Sequence, residues 1–391
     1  MTQVRLIMLL FFLEPLVFGN WLSRIPEVQA GLGLSPAQLA LALLGMPISN
    51  LMILPFAGRI CNAVGARNLL ICTFSGMLLI LTLPGLAFNI PSLFLILASC
   101  GALLALAELA MNVEAARIEE EAGRLIMSTC HGCWSVGIGV GSFVGATLAT
   151  FGLTVTEALA LSVVVVLPIA VWAGLQLPGE PAKTPAAADA PSPSFFNIPP
   201  KALLLVCIFS IGFAVTEGAM GDWSGIFLRD ETGTPTAMLG YGYAVFAALL
   251  SAGRFMGDTL RQRLGMVVLG RLFVSIALCG ALLLSVASNF WMGAIAFGMI
   301  GLGISTAFPM AVTAVTSIPG TAAGNVAILS AIYVLGFLAG PLVIGGLAEF
   351  LGIRIGLMFL IPVLFISLLL TGSLRPGDRK TAQGEAEPAS A

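Results

Sequence analysis

The chain has 391 residues, 58% of them hydrophobic and 9% charged, with a net charge of −2 and a mean hydropathy of +1.04. A soluble globular domain carries about a quarter charged residues, so this chain has too few to cover a water-facing surface. Apolar runs of about twenty residues, the length an α-helix needs to cross the hydrocarbon core, recur from end to end and imply an all-α polytopic membrane protein.

Twelve spans follow in chain order. The first, 4–24, starts directly after Met1 and one arginine, with no small-residue cleavage site. It contains LLFFLEPLVFGNW (Leu9–Trp21), which sets Glu14 in mid-span with Pro15 directly after it. An ionised acid at that depth costs several kcal/mol in lipid, and Pro15 can free a backbone carbonyl and bend the helix beside it. Ser35 and Pro36 supply an N-cap and N1 pair for the span 37–57. The spans 68–88 and 91–114 come next. Glu108 and Asn112 lie one turn apart in the latter and share a face.

The span 129–151 opens with Cys130, His131 and Cys133. His131, the only histidine, suits a proton or gating role, or a hydrogen-bonded packing one. The two cysteines have no second ligand pair, so neither a metal nor another cofactor is expected. All seven cysteines read as small buried hydrophobes. Gly137, Gly141 and Gly145 make a smooth face for close helix packing. After the span 155–177, the stretch from Pro178 to Pro200 is rich in Pro and Ala and reads as a flexible linker.

Asn197, Pro199 and Pro200 precede the span 201–222, which holds Glu217 and ends at Asp222 and Trp223. The remaining spans are 237–257, 267–287, 290–315, 325–348 and 354–374. Gly336, Gly340 and Pro341 predict a bend in the eleventh. The chain closes on a polar tail, 375–391, expected to be disordered. With both ends inside, fourteen Lys and Arg fall on the cytoplasmic side, Arg254 among them, and three (Arg24, Arg229, Arg354) fall outside. That bias places both termini in the cytoplasm. Neither a nucleotide-binding loop nor a nucleic-acid surface is present in the sequence, so uphill work must draw on an ion gradient or a partner protein.

The two sets of six spans echo each other. Gly19-Asn20-Trp21 matches Gly221-Asp222-Trp223 after 202 positions; Gly65 matches Gly265, and Phe151-Gly152-Leu153 matches Leu351-Gly352-Ile353, both after 200. These matches predict parallel repeats, 1–177 and 201–374. The architecture resembles the major facilitator superfamily over essentially the whole chain. The loop GRICNAVGAR carries its Gly58, Gly65 and Arg67, with Asn62 at the usual acidic position, so the usual Asp-to-Arg pairing is in doubt there. The second copy, GDTLRQRLG, keeps Asp258, Arg261, Arg263 and Gly265. GNWLSRIPEVQ, MNVEAARIE, HGCWSVG and TEGAMGDWS resemble a bacterial branch of YbjJ- and MosC-like transporters, for which an inner-membrane location and a single working chain are implied.

In the resembled fold, spans one, four, seven and ten line a central cavity. The acids well inside apolar spans, Glu14, Glu108 and Glu217, fall on three of those four. With Asn112 they are the candidate substrate and proton site, although Glu217 and Asp222 could also be accommodated at the outer interface. Trp21 and Trp223 are candidate outer-gate residues or ordinary interfacial aromatics. No Lys or Arg is expected mid-membrane, which disfavours an anionic substrate. The chemistry favours a proton-coupled transporter of a small neutral or amine-bearing polar solute such as a sugar or cyclitol. The alternative is a proton-driven exporter of lipophilic cationic drugs. A receptor lacks an output module, and an enzyme lacks a nucleophile and base.

Overall fold

The computed structural model describes residues 2–123, 126–178, 200–319 and 322–375. The expected linker and tail lie outside the described residues. Among those described, all regular structure is helical. The first half comprises α1 (Gln3–Leu32), α2 and α3 (Pro36–Leu43, Gly45–Val64), α4 (Ala66–Ile80), α5 (Ile90–Ala122), α6 (Met127–Thr150) and α7 (Val155–Leu175). The second comprises α8 (Lys201–Thr232), α9 (Leu239–Leu264), α10 (Met266–Val286), α11 and α12 (Phe290–Ile304, Ala307–Thr316), α13 (Ala322–Leu351), then α14 and α15 (Ile353–Met358, Leu360–Leu369). Twelve helical stretches are long and apolar enough to cross a bilayer. Large apolar side chains such as Phe88, Phe151 and Phe350 point outward, exposed by 75% or more, which suits lipid as the surrounding solvent.

Ser35 caps α2 as its sequence predicts, with Gln38 completing a reciprocal capping box and Pro36 at the first helical position. Other helices overrun the expected spans. α1 continues past 24 to Leu32 because its charges there are satisfied in place: buried Arg24 pairs with Glu27 at 2.7 Å and donates to the Leu153 carbonyl at 2.6 Å. α8 likewise continues to Thr232, where Arg229 pairs with Asp230 and donates to the Pro26 carbonyl and Gln29. Hydropathy marks where lipid-like sequence stops; a helix stops where its backbone is capped.

The helix ends show the internal repeat. Gly33 and Gly233, Gly65 and Gly265, and Gly152 and Gly352 all adopt positive φ, between 62° and 83°, in pairs 200 positions apart. The Gly-Asn-Trp match at 202 is out of register with them. Two residues turn a helix by about 200°, so Trp21 and Trp223 point in different directions relative to their capping glycines. Asn20 instead ties α1 to α7, donating to the Ala158 carbonyl at 3.1 Å and to Ser162 at 2.9 Å.

The predicted glycine face of α6 packs on α1. A Cβ added at Gly137 or Gly141 would lie 2.2 Å from the Phe12 carbonyl or 1.8 Å from the Leu16 carbonyl, and one at Gly145 would strike Asn20 and Ser23. α13 repeats the device on α8, where Gly336 and Gly340 approach Ala214 and Val215. Helix α13 runs unbroken through Pro341.

The halves meet at the end of the bundle remote from the termini. There the Ala37 N–H donates to Glu349 at 3.1 Å, Arg229 reaches Pro26 and Gln29, Ser142 donates to the Gly240 carbonyl, and Thr147 bonds Tyr241. Gly345 of α13 sits against Ala40 and Pro36. The bundle is therefore closed at the far end.

Candidate functional site

Six helices bring polar side chains to one depth. Glu14, Glu108 and Tyr333 lie eighteen residues along their helices from the far end; Ser135, Glu217 and Arg254 lie fifteen. At 1.5 Å per residue that is roughly 22–27 Å, the middle of the membrane-crossing length. Glu217 is thus a mid-depth residue rather than an interfacial one.

In the first half, Glu14 is 1% exposed. The Trp134 Nε1–H of α6 donates to its Oε2 at 2.8 Å, while its Oε1 has no hydrogen-bond partner. Half-buried Glu108 of α5 is its electrostatic neighbour. Asn112 shares the Glu108 face as expected, but its amide donates back to the Glu108 carbonyl of the same helix at 2.9 Å. The close approach of α1 and α6, permitted by the glycine face, is what carries Trp134 to Glu14.

In the second half, Glu217 is fully engaged. Arg254 of α9 donates to its Oε1 at 3.2 Å, and the Tyr333 hydroxyl of α13 donates to its Oε2 at 3.1 Å. This overturns the expectation that no cation lies mid-membrane. The span 237–257 drawn from hydropathy put Arg254 at its cytoplasmic end, yet α9 runs seven residues past that span, to Leu264. Its guanidinium also donates to Ser135 of α6, across the two halves. Ser135 can accept because its own proton is given to the His131 carbonyl at 3.0 Å. Tyr333 packs tilted against Phe308 and edge-on to Phe337, ring centroids 4.5 and 5.5 Å away.

The candidate gating residues divide. Trp223 is fully buried where α8 meets Gly345, beside the α2–α13 closure, and Trp21 is 1% exposed at the same end. Half-buried Asp222 neighbours Tyr243 electrostatically. His131 is exposed, edge-on to Phe11 at 5.4 Å and beside the Arg254 charge.

The loop residues lie away from this site, at the end carrying the termini. Gly58 and Asn62 are exposed, and Gly65 provides the turn at φ 83°. Arg67 donates to the Leu175 carbonyl at 2.8 Å and neighbours buried Glu114 of α5. The acid missing at position 62 thus has a counterpart on another helix. In the second copy, Arg261 donates to Thr313 at 3.1 Å, Arg263 and Gly265 are exposed, and the Asp258 side chain lies outside the described residues.

Sequence reading left Trp134, Ser135, Arg254 and Tyr333 without site roles. One signal was available for α6. Gly132, Ser135, Gly139 and Ser142 fall at helical spacing on one face, and the structure turns that face to α9.

A family model described as Major Facilitator Superfamily matches residues 7–326. An MFS-type transporter of Yersinia pestis is 32% identical over 354 residues, covering 87% of this chain and 88% of that protein. The membrane protein MosC of Rhizobium meliloti is 28% identical over 363 residues, covering 90% and 85%. The crystal structure of the nucleoside transporter NupG aligns with a TM-score of 0.73 at 14% identity, covering 96% of this chain and 98% of that one.

Proposed function

We propose that this chain, which belongs to the major facilitator superfamily, is a proton-coupled secondary transporter of a small neutral or amine-bearing polar solute, such as a sugar or cyclitol, across the bacterial inner membrane. The observation that carries this reading is Glu14. It is a mid-depth carboxylate, shut from solvent, with one oxygen unpartnered and a second acid, Glu108, as neighbour. Neighbouring carboxylates repel, and a proton or a substrate ammonium relieves them both. Glu217, in contrast, is held by Arg254 and Tyr333, which leaves the first half as the loading site. Arg254 spends its charge on Glu217, so it does not make the cavity a receptor for anions.

The Lys and Arg bias of the sequence, thirteen to three once Arg254 is set aside, supports placing the end that carries the termini in the cytoplasm. The far-end closure is then the extracellular gate. Transport requires the Ala37–Glu349 and Arg229 contacts to break as the near end closes. The likeness to a nucleoside transporter fits a polar solute with ring and hydroxyl groups.

A second reading has one observation in its favour. The Phe308, Tyr333 and Phe337 rings form an aromatic wall next to Glu217, which suits a lipophilic cation exported against a proton gradient.

A thermal-shift panel of cyclitols, amino sugars, hexoses, nucleosides and lipophilic cations identifies the ligand, since saturation a hundredfold above Kd adds about 2.7 kcal/mol of stability. With that ligand in proteoliposomes, Glu14→Gln should abolish accumulation driven by a proton gradient while exchange at equal concentrations persists. Normal accumulation by the variant refutes proton loading at Glu14. A hit confined to lipophilic cations selects the exporter.

A further inference from the structure

Among the described residues, the hydrogen bonds that join the two halves sit at the far end, with one exception. That exception is Arg254 to Ser135, deep in the bundle and beside the acidic site. Its place on α6 is specific. The residue before it, Trp134, holds Glu14. Consecutive helical residues point about 100° apart, so α6 presents Trp134 to α1 in its own half and Ser135 to α9 in the other. Two stripes continue this division. Gly137, Gly141 and Gly145 face α1, while Gly132, Gly139 and Ser142 face Phe255, Ala247 and Gly240 of α9. α6 contains no proline and lies between the two helices with small residues on both faces. It touches both helices without a proline break between its two contact faces, which gives a displacement against α1 a direct route to α9.

We propose that Trp134, Ser135 and Arg254 form the link that carries the loading state of Glu14 to the second half, with Arg254 as the positioning residue that ties α9 to α6 and aligns Glu217 with Tyr333. The proposal rests on the reading of Glu14 as the loading site. With Glu14 ionised, the indole N–H has a charged acceptor, the stronger kind of hydrogen bond. Once Glu14 takes a proton or a substrate ammonium, that acceptor weakens and Trp134 is released. The adjoining Ser135 then shifts from the guanidinium, and the single deep tie between the halves loosens. The charged and titratable groups facing these partners are Glu108 at Glu14, and Glu217, His131, Tyr243 and Tyr333 at Arg254. Arg254 is thus held from α8 and α6 at once, and a change on α6 reaches α13 through it by way of Glu217, which accepts from Tyr333.

The test needs no substrate. Spin labels at exposed Leu41 of α2 and Phe350 of α13 report the far-end gap in nanodiscs, with Cys72, Cys133 and Cys279 replaced by serine. Glu14→Gln stands in for the neutral acid, and distances are measured at pH 9. In the parent background, Glu14→Gln should change the open-to-closed ratio at least fivefold, the lower range of allosteric couplings. In Arg254→Gln, and separately in the gentler Ser135→Ala, the same substitution should change it less than twofold. A merely structural ion pair would shift the baseline and leave the Glu14→Gln effect unaltered, so additivity with either variant overturns the link while leaving Glu14 as the loading site. If Glu14→Gln moves nothing even in the parent, both the link and the loading site fall.

Discussion

Gly141→Ala is a one-carbon change that should separate α1 from α6. The added Cβ would stand 1.8 Å from the Leu16 carbonyl oxygen, with the Leu16 carbonyl carbon at 2.7 Å and Cα at 2.9 Å. These are backbone atoms and cannot swing aside as a side chain would. A carbon rests about 3.3 Å or more from a carbonyl oxygen, so α1 must retreat by about 1.5 Å. Overpacking of this kind costs about 1–3 kcal/mol. The retreat also stretches the Trp134–Glu14 hydrogen bond, 2.8 Å in the structure, beyond the range in which such a bond survives.

Two measurements follow from one variant. Thermal unfolding in detergent should show a lowered midpoint relative to Gly346→Ala, whose Cβ would meet nothing within 4 Å and which removes only helical glycine's entropic penalty. Gradient-driven uptake in proteoliposomes should fall even at temperatures where the variant stays folded. A Gly141→Ala protein that melts with the Gly346→Ala control would refute the close α1–α6 approach. One that melts early but accumulates normally would show that the indole contact with Glu14 is dispensable.

Arg354→Ala should destabilise the second half by about 2–4 kcal/mol, because one guanidinium serves the end of α10 through the Ser285 and Ala287 carbonyls at 2.9 and 2.8 Å and pairs with Glu231 at 2.9 Å. Unfolding midpoints check it; Arg354→Lys, which lacks the planar fork, should recover less than half. Glu349→Ala removes the carboxylate that accepts from the Ala37 N–H at the start of α2, a helix-terminus contact of about 1 kcal/mol or less. A cysteine placed at buried Ala40 should then be labelled by an impermeant maleimide about three- to fivefold faster. An unchanged labelling rate would show that Glu349 does not hold the far end shut.

The legible part of this protein is what a helix in lipid dictates locally. Span number follows from apolar length, the α2 start from Ser35, Pro36 and Gln38, and the α6 packing face from three glycines at four-residue spacing. Each is a short-range rule, and each appears in the structure. Span ends were less legible because hydropathy registers Arg24 or Asp222 as a stop. An arginine stops nothing once a carbonyl elsewhere in the fold receives it, as Leu153 receives buried Arg24 and Pro26 receives half-buried Arg229 here. The Gly-Asn-Trp and Gly-Asp-Trp match misled for the opposite reason: similar letters two residues out of phase present different faces.

The site was half legible. Intramembrane acids are costly enough to announce themselves, so Glu14, Glu108 and Glu217 could be picked from sequence. Their partners could not, because Trp134, Arg254 and Tyr333 are distant in sequence and unremarkable in isolation. Arg254 in particular was counted as a cytoplasmic charge until α9 was seen to run past it. That difference alters the chemistry of the cavity. Three equivalent acids would make a uniformly anionic pocket with no preferred place for a proton. Pairing Glu217 with Arg254 and Tyr333 satisfies one side and leaves the unpartnered oxygen of Glu14 on the other. Under the proposed reading, the asymmetry gives a loaded proton or ammonium one destination, on the half whose helix α6 also touches its counterpart. Loading and movement can then be coupled through a single helix rather than through the cavity as a whole.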